Sequence, residues 1–190
     1  MDSPRPRPLS RLLLVLAAVA VTMLGLVGPA HAAPWCSLTW GSQPEGDPSG
    51  PGSAGAVVHD VRAGQHACFD RLVVDVSGAT RVGYDVRYVP QLVADGSGRP
   101  VPVRGGAVLQ VVVHAPAYDA NGSATYRPAD PRELVRTTGW ATFRQVAWAG
   151  SFEGSTTVGI GTRARLPFRV AVLTGPGSGS RVVVDVAHRW

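Results

Sequence analysis

The residues that come nearest to a catalytic arrangement are His66, Cys68 and Asp70. In an extended strand, residues two apart share a face, so the thiol would lie between an imidazole and a carboxyl group. A cysteine nucleophile needs a partially exposed thiolate with the imidazole within hydrogen-bond reach. The chain has a second cysteine, Cys36, and in an exported protein a Cys36–Cys68 disulfide is the default expectation over two free thiols. We therefore expect no catalytic residue and a protein that is not an enzyme.

The sequence contains no recognisable site for a metal or a cofactor. The histidines beyond residue 32 show neither H-x-H nor H-E-x-x-H spacing, and the two cysteines are not spaced for zinc. Residues 119–122 (DANG) begin like a calcium-binding loop but lack the downstream glutamate, so they predict a plain turn. No G-x-S-x-G motif is present. We expect neither a metal nor a cofactor.

What remains is binding chemistry, carried by aromatic and planar polar side chains of the kind that hold sugars. If residues 140–146 are extended, alternate side chains share one face: Trp140, Thr142, Arg144 and Val146. Exposed, this face would be a glycan platform; buried, it would be ordinary core. The candidate ligand-binding residues are His66, Arg71, Trp140, Arg144, Glu153 and His188. The alternative is that these side chains satisfy loops and strand ends.

The first 32 residues have the pattern of a Sec-type signal peptide. Three arginines precede an apolar run over residues 12–27, and Ala30-His31-Ala32 fits the small-x-small rule for cleavage. The run is short for a membrane span of about 20 residues, so we expect a secreted or cell-envelope protein with no stable membrane insertion after cleavage. Retention of the segment as an uncleaved anchor is the alternative. All 18 basic residues are arginine, a bias typical of the GC-rich genomes of actinobacteria.

Beyond the signal segment, composition divides the chain into two parts. Residues 33–55 form a Gly-, Pro- and Ser-rich N-terminal segment, of which 41–55 is expected to be a flexible linker or loop. Over residues 56–190, short Val- and Tyr-rich runs alternate with period two between turn residues. Residues 128–136 carry the only helix signal, with Asp130 as its cap. The pattern predicts an all-β domain over 56–190, either a β-sandwich of two packed antiparallel sheets or a partly closed barrel, with at most one short helix.

One internal repeat bears on how the strands pair. The segment 71–76 (RLVVDV) recurs as 181–186 (RVVVDV), and in each copy the arginine and the aspartate lie on the same face of a strand. If the copies pair antiparallel with Val73 opposite Val183, two cross-strand ion pairs follow, Arg71 with Asp185 and Asp75 with Arg181. The alternative places the copies in opposite sheets as symmetry mates. The sequence does not choose between them.

These two strands and their surroundings resemble the AMIN-like domain of secreted actinobacterial proteins, a relative of the AMIN domain of cell-wall amidases and secretins. The matching motifs are 40–42 (WGS), 64–71 (GQHACFDR), 83–89 (GYDVRYV), 152–157 (FEGSTT) with Gly159 and Gly161, 166–170 (LPFRV) and 181–188 (RVVVDVAH). The resemblance implies a small β-sandwich, and for the AMIN domain proper it implies peptidoglycan binding. No amidase or secretin domain follows here, so we expect a stand-alone module.

Together these features predict a secreted, monomeric, non-catalytic binding module of the cell envelope. Its expected partner is cell-wall glycan or peptide, in particular peptidoglycan, or another exported protein. The formal charge falls from +5 to +3 when three arginines and one aspartate leave with the signal segment, and a mild positive charge suits an anionic cell-wall polymer. Nucleic acid is not an expected partner, because the arginines are dispersed and the sequence has no basic run interleaved with aromatic residues. Two alternatives stay open: docking on an exported protein through an edge strand, and carriage of a small apolar ligand in a cavity.

Overall fold

The computed structural model describes residue 36, residues 39–48 and residues 55–190, and this part of the chain contains eleven strands and no helix. The predicted signal peptide and the rest of the segment 33–55 lie outside the described residues. Within the described part, accordingly, no helix is long and apolar enough to cross a membrane. The strands are β1 (Glu45–Asp47), β2 (Val57–Gln65), β3 (Phe69–Ser77), β4 (Tyr84–Val89), β5 (Leu92–Val93), β6 (Pro100–Val101), β7 (Ala107–Val113), β8 (Phe143–Phe152), β9 (Ser155–Thr162), β10 (Phe168–Thr174) and β11 (Ser180–Ala187).

The strands form two main antiparallel sheets that enclose one core. The five-stranded sheet has the order β1-β4-β7-β9-β8, the four-stranded sheet has the order β10-β11-β3-β2, and β5 pairs with β6 as a separate hairpin. The buried inward residues of β3 and β11 are Leu72, Val74, Val76, Val182, Val184 and Val186. They share a hydrophobic cluster with Leu109 of β7 and Ile160 of β9, in the opposite sheet. The predicted all-β sandwich is confirmed.

The two copies of the internal repeat pair with each other in the four-stranded sheet. Strands β3 and β11 run antiparallel with Val73 opposite Val183, the register that the repeat allowed. The ion pair between Arg71 and Asp185 forms, with Nε and Oδ1 2.6 Å apart. The second pair does not form, because Arg62 of the neighbouring strand β2 binds Asp75 instead, with Nε and Oδ2 2.7 Å apart.

Part of the segment predicted as a flexible linker or loop is built into the sandwich. Glu45–Asp47 forms β1 and pairs with β4 at the edge of the five-stranded sheet. Just before it, the carbonyl of Gly41 accepts a hydrogen bond from the Phe168 amide of β10, in the other sheet. The Glu45 carboxylate accepts another from Val170, and burial raises the pKa of this carboxyl above its ordinary value. The linker prediction is wrong for β1, since strand edges of both sheets offered partners that composition does not reveal.

The predicted helix over 128–136 does not form. Asp130 does cap a turn, because its Oδ1 accepts the Arg132 amide and its carbonyl accepts the Glu133 amide. The turn is then interrupted by hydrogen bonds to edge strand β8. The Leu134 amide donates to the Val146 carbonyl, and the carbonyl of Pro131 accepts the Trp148 amide. Pairing with an open sheet edge replaces the bonds that a helix would have made within itself.

Candidate binding groove

The six candidate ligand-binding residues lie in different places. Trp140 and Arg144 line one depression beside β8, whereas His66 and Arg71 line another on the outer face of the four-stranded sheet. Glu153 and His188 line neither of these two depressions. The structure therefore separates the candidates into two pairs and two single residues.

The depression at the start of β8, here called the Trp140 depression, combines an indole with an excess of positive charge. Its volume is about 630 Å³, and its lining residues are Arg104, Glu133, Arg136, Thr137, Thr138, Gly139, Trp140 and Arg144. Three arginines and one glutamate give it a formal charge of +2. The indole of Trp140 stacks on the buried ring of Phe143, with the ring centroids 6.0 Å apart. Stacking on a core residue holds the indole in one orientation at the wall.

The arginines of this depression differ in how far their charge is neutralised. Arg104 binds Glu133, with Nη2 and Oε2 2.6 Å apart. Arg144 donates from Nη1 to the backbone carbonyls of Trp140 and Phe143, which fixes its guanidinium, and it has no carboxylate partner among the described residues. Arg136 is exposed and has no hydrogen-bond or ion-pair partner in the part of the chain that the structure describes. Two uncompensated guanidinium groups therefore lie beside the indole.

A second depression adjoins the first at Arg104, and it is lined mainly by apolar side chains. This Trp148 depression has a volume of about 620 Å³ and is lined by Pro100, Val101, Pro102, Val103, Arg104, Pro131, Arg132, Gln145 and Trp148. Trp148 is half-buried and packs against Tyr126, with ring centroids 5.3 Å apart. We refer to the two depressions together as the binding groove.

The buried side chain of Gln145 connects the two walls of the groove, which are the segments that contain Arg104 and Arg132. Its Oε1 accepts the Arg104 amide at 2.7 Å, and its Nε2 donates to the Arg132 carbonyl at 2.7 Å. Gln145 is only 3% exposed, so loss of either bond would leave a polar group buried without a partner. The groove is thus rigid at the point where its two halves meet.

The predicted common face of Trp140, Thr142, Arg144 and Val146 is not present. The strand begins at Phe143, and a bulge between Phe143 and Gln145 makes Arg144 the extra residue. Beyond the bulge the alternation is shifted, so Val146 points into the core while Arg144 lines the groove. Thr142 is fully buried.

Two glycines of β9 allow the wall that carries Arg104 to lie directly on the five-stranded sheet. A Cβ atom on Gly159 would lie 2.3 Å from Leu92 Cδ2, and one on Gly161 would lie 1.8 Å from the Arg104 carbonyl oxygen. These distances are too short for any side chain, so the chain from β5 to Arg104 packs against bare backbone. Glycine is required here because of this close approach.

The family model of the AMIN-like domain matches residues 56–188, which include all of the groove. The chain belongs to the AMIN-like domain family. A comparison with curated proteins and one with solved structures found no match. AMIN-like domains are generally non-catalytic binding modules associated with the cell wall or envelope.

A disulfide joins Cys68 of the AMIN-like domain to Cys36, which precedes the matched residues. Cys36 and Cys68 form a disulfide with a Cα–Cα distance of 5.7 Å, which confirms the predicted bridge. The Cys68 sulfur is therefore not available as a thiolate beside His66. Within the described residues, no group of three or more His, Cys, Asp or Glu side chains is placed to hold a metal ion.

On the outer face of the four-stranded sheet, the other candidate pair belongs to a network of ion pairs and aromatic contacts. Arg71 binds both oxygens of Asp185, and this hydrogen bonding raises the pKa of the guanidinium, so its charge persists. Its guanidinium carbon also lies 5.1 Å from the ring centre of Phe69. His66 stacks on the same ring, with centroids 4.5 Å apart.

The two remaining candidates, Glu153 and His188, contribute to a turn and to a buried contact. Glu153 and Gly154 form the two-residue turn between β8 and β9, both with positive φ, which is the geometry of a type I′ hairpin. His188 lies after β11, and its Nε2 is 3.1 Å from Oδ1 of Asp70, whose side chain is fully buried. These contacts account for both residues without a ligand.

Sequence reasoning missed Arg104, Glu133, Arg136 and Gln145 as residues of the groove. Arg104 comes from one segment, and Glu133 and Arg136 come from another, and only the tertiary fold brings these two segments to β8. Gln145 belongs to β8 itself, next to Arg144. One signal was available: Gly159 and Gly161 alternate within a strand, and such glycines indicate close approach of another backbone. That signal predicts a covering segment but does not say which one.

Replacing Gly161 with alanine is expected to displace the Arg104 wall and to lower the free energy of unfolding by about 1–3 kcal/mol. The added methyl group would overlap the Arg104 carbonyl oxygen and the Val103 side chain, so the wall must move away from β9. Urea unfolding measures the loss. Gly64→Ala is the matched control, since it also lies in a strand and its added Cβ would meet no atom within 4 Å. Equal stability of the two variants would contradict close packing at Gly161.

Proposed function

We propose that this protein is an exported, non-catalytic module of the cell envelope that binds peptidoglycan through the groove along β8. The observation that carries the proposal is the Trp140 depression, where an indole and two uncompensated guanidinium groups share one concave surface. Family membership supports a role in the cell envelope.

The groove offers the groups that a peptidoglycan strand would need. Sugar rings present apolar faces that pack on aromatic side chains, and a tryptophan lines each half of the groove. Between the two halves, the planar guanidinium of Arg104 can donate to ring hydroxyl and acetamido oxygens. The carboxylates of peptidoglycan match the +2 charge of the Trp140 depression, where Arg136 and Arg144 have no carboxylate partner within the part of the chain that the structure describes.

The groove is largely organised before a ligand arrives, which lowers the entropic cost of binding. Trp140 is held by Phe143, Arg144 by two carbonyls, and the two walls by Gln145. The Arg136 side chain has no hydrogen-bond or ion-pair partner among the described residues, and we expect it to close on an acidic group of the bound strand.

Co-sedimentation with purified sacculi tests this function. The oxidised chain is expected to pellet with sacculi, and Trp140→Ala is expected to weaken binding about tenfold, as loss of a buried aromatic anchor does at other interfaces. The double variant Arg136→Ala, Arg144→Ala should weaken binding more than Trp140→Ala does, and its remaining binding should depend less on salt.

Two matched variants control for loss of aromatic or positive surface in general. Trp190 is 75% exposed and Arg87 is exposed on β4, and neither lines the groove. Trp190→Ala and Arg87→Ala should pellet like the unmodified chain. If the unmodified chain stays in the supernatant at low salt, or if the control variants lose as much binding as Trp140→Ala, peptidoglycan binding through the groove is refuted.

A further inference from the structure

A second concave surface lies on the outer face of the four-stranded sheet, separate from the groove. It has a volume of about 280 Å³ and an apolar floor of Val73 and Val183, which are 5% and 4% exposed. Around this floor stand Arg62, Arg71, Arg181 and His66. We call it the Arg181 depression.

Two of its three arginines are neutralised and held rigidly. Arg62 binds both oxygens of Asp75, at 2.7 and 3.1 Å, and Arg71 binds both oxygens of Asp185, at 2.6 and 2.8 Å. Arg169 adds a third guanidinium contact to Asp185, at 3.0 Å. Both carboxylates are therefore fully engaged, and both residues are buried, with Asp75 8% and Asp185 1% exposed.

Among the described residues, Arg181 is left without a carboxylate partner. The strand register places it opposite Asp75, but Arg62 occupies both oxygens of that residue. Its Nε is buried and has no hydrogen-bond partner among the described residues, and its Nη2 makes a 3.4 Å contact with the Thr174 carbonyl. Because Nε is covered by protein atoms, a ligand oxygen would meet the guanidinium at its Nη groups, for which the Thr174 carbonyl is the one contact among the described residues.

We propose that the Arg181 depression binds a carboxylate that carries a small apolar group, such as the C-terminus of a peptide that ends in alanine. The guanidinium of Arg181 presents adjacent N–H donors that match a planar carboxylate. The valine floor and Leu173 at the rim accept a methyl group but offer no polar partner. A single uncompensated guanidinium matches the single charge of a carboxylate.

The stem peptides of peptidoglycan carry such a terminus, and so do ordinary protein chains. The link to peptidoglycan rests on the proposed function, whereas the site itself does not, because none of its lining residues belongs to the groove. Preference for the D form of alanine would identify the stem peptide as the source, and preference for the L form would identify a protein terminus.

Titration of the ¹⁵N-labelled, oxidised chain with N-acetyl-alanyl-alanine, in its D and L forms, tests the site. The Arg181 Nε–H resonance is expected to shift saturably with the free acid, and the C-terminal amide should bind at least about tenfold more weakly, because the charge-assisted bonds are lost. Arg181→Gln should weaken binding of the acid by about the same factor. Arg87→Gln, an exposed strand arginine of the other sheet, should leave binding unchanged.

A second variant covers the case in which Arg181→Gln disturbs the sheet. Leu173 is 42% exposed at the rim and lies opposite Arg181 in the register of β10 and β11. Leu173→Glu should have little effect on folding and should abolish binding of the acid, because the new carboxylate pairs with Arg181 and repels a second carboxylate. Equal binding of acid and amide, unchanged binding in either variant, or equal displacement by methyl phosphate would overturn the proposal. Arg181→Gln lacks the proposed carboxylate site, so its binding to sacculi measures binding by the groove alone. The sacculus experiment and the peptide titration can therefore fail independently of each other.

Discussion

Replacing Asp70 with alanine is expected to lower the free energy of unfolding by about 3–5 kcal/mol. Asp70 belongs to β3 and is fully buried, and its Oδ2 accepts the amides of Thr142 and Phe143, each at 2.8 Å, where β8 of the other sheet begins. Its Oδ1 lies 3.1 Å from His188 Nε2. Removal of the carboxylate would leave two buried amides and an imidazole without their acceptor, which is the physical reason for the large effect.

Urea unfolding of Asp70→Ala measures this loss, and the chain offers a matched control. Asp85 also lies 3.1 Å from a histidine, His114, but at the surface, where the aspartate side chain is 54% exposed. Asp85→Ala is expected to cost at most about 1 kcal/mol. Asp70→Asn keeps one oxygen for the two amides and should fall between the two variants. If Asp70→Ala is as stable as Asp85→Ala, the hydrogen bonds of Asp70 between the two sheets contribute little to the free energy of unfolding.

Removal of the disulfide is expected to lower the free energy of unfolding by about 3–4 kcal/mol, the loop-closure value for a bridge of this span. Cys36 and Cys68 are 32 residues apart, and the bridge restricts the unfolded chain by closing the loop between them. The double variant Cys36→Ser, Cys68→Ser and the reduced unmodified chain should show the same loss in urea unfolding.

The native contacts next to the bridge are expected to survive its removal in the folded state. Trp40 packs on Phe69, with ring centroids 5.6 Å apart, and Arg169 lies over Trp40, with its guanidinium carbon 4.5 Å from the ring centre. Tryptophan fluorescence of the folded double variant should therefore resemble that of the unmodified chain. If removal of the disulfide lowers the free energy of unfolding by less than about 1 kcal/mol, the bridge does not restrict the unfolded chain as the loop-closure model requires.

The strand pattern was predictable because it depends on local alternation. Leucine or valine at every second position of 71–76 and 181–186 indicated strands with a buried face, and the matching Arg and Asp positions allowed the register that the structure adopts. The fate of the second ion pair was not predictable. It depends on Arg62, which reaches Asp75 only because β2 lies on the other side of β3.

The candidate groove was predictable only in part, for a similar reason. Trp140 and Arg144 are close in the sequence and could be recognised together. The bulge that turns Arg144 outward and Val146 inward has no composition signal, so the predicted common face was wrong. Arg104 joins them from a segment about 40 residues earlier in the chain, because the glycines of β9 admit its backbone.

By itself, the sequence determined the elements that arise from short-range order: the alternating strands, the turns between them, the pairing of two cysteines and membership of the AMIN-like family. The tertiary structure alone decided which charged groups meet. It placed Asp70 with His188, Asp75 with Arg62 and Glu133 with Arg104, and within the described residues it left Arg136, Arg144 and Arg181 without a carboxylate. The reason is physical: hydrophobic alternation is periodic along the chain, whereas an ion pair depends on a distance of a few ångströms between segments that only the completed sandwich brings together.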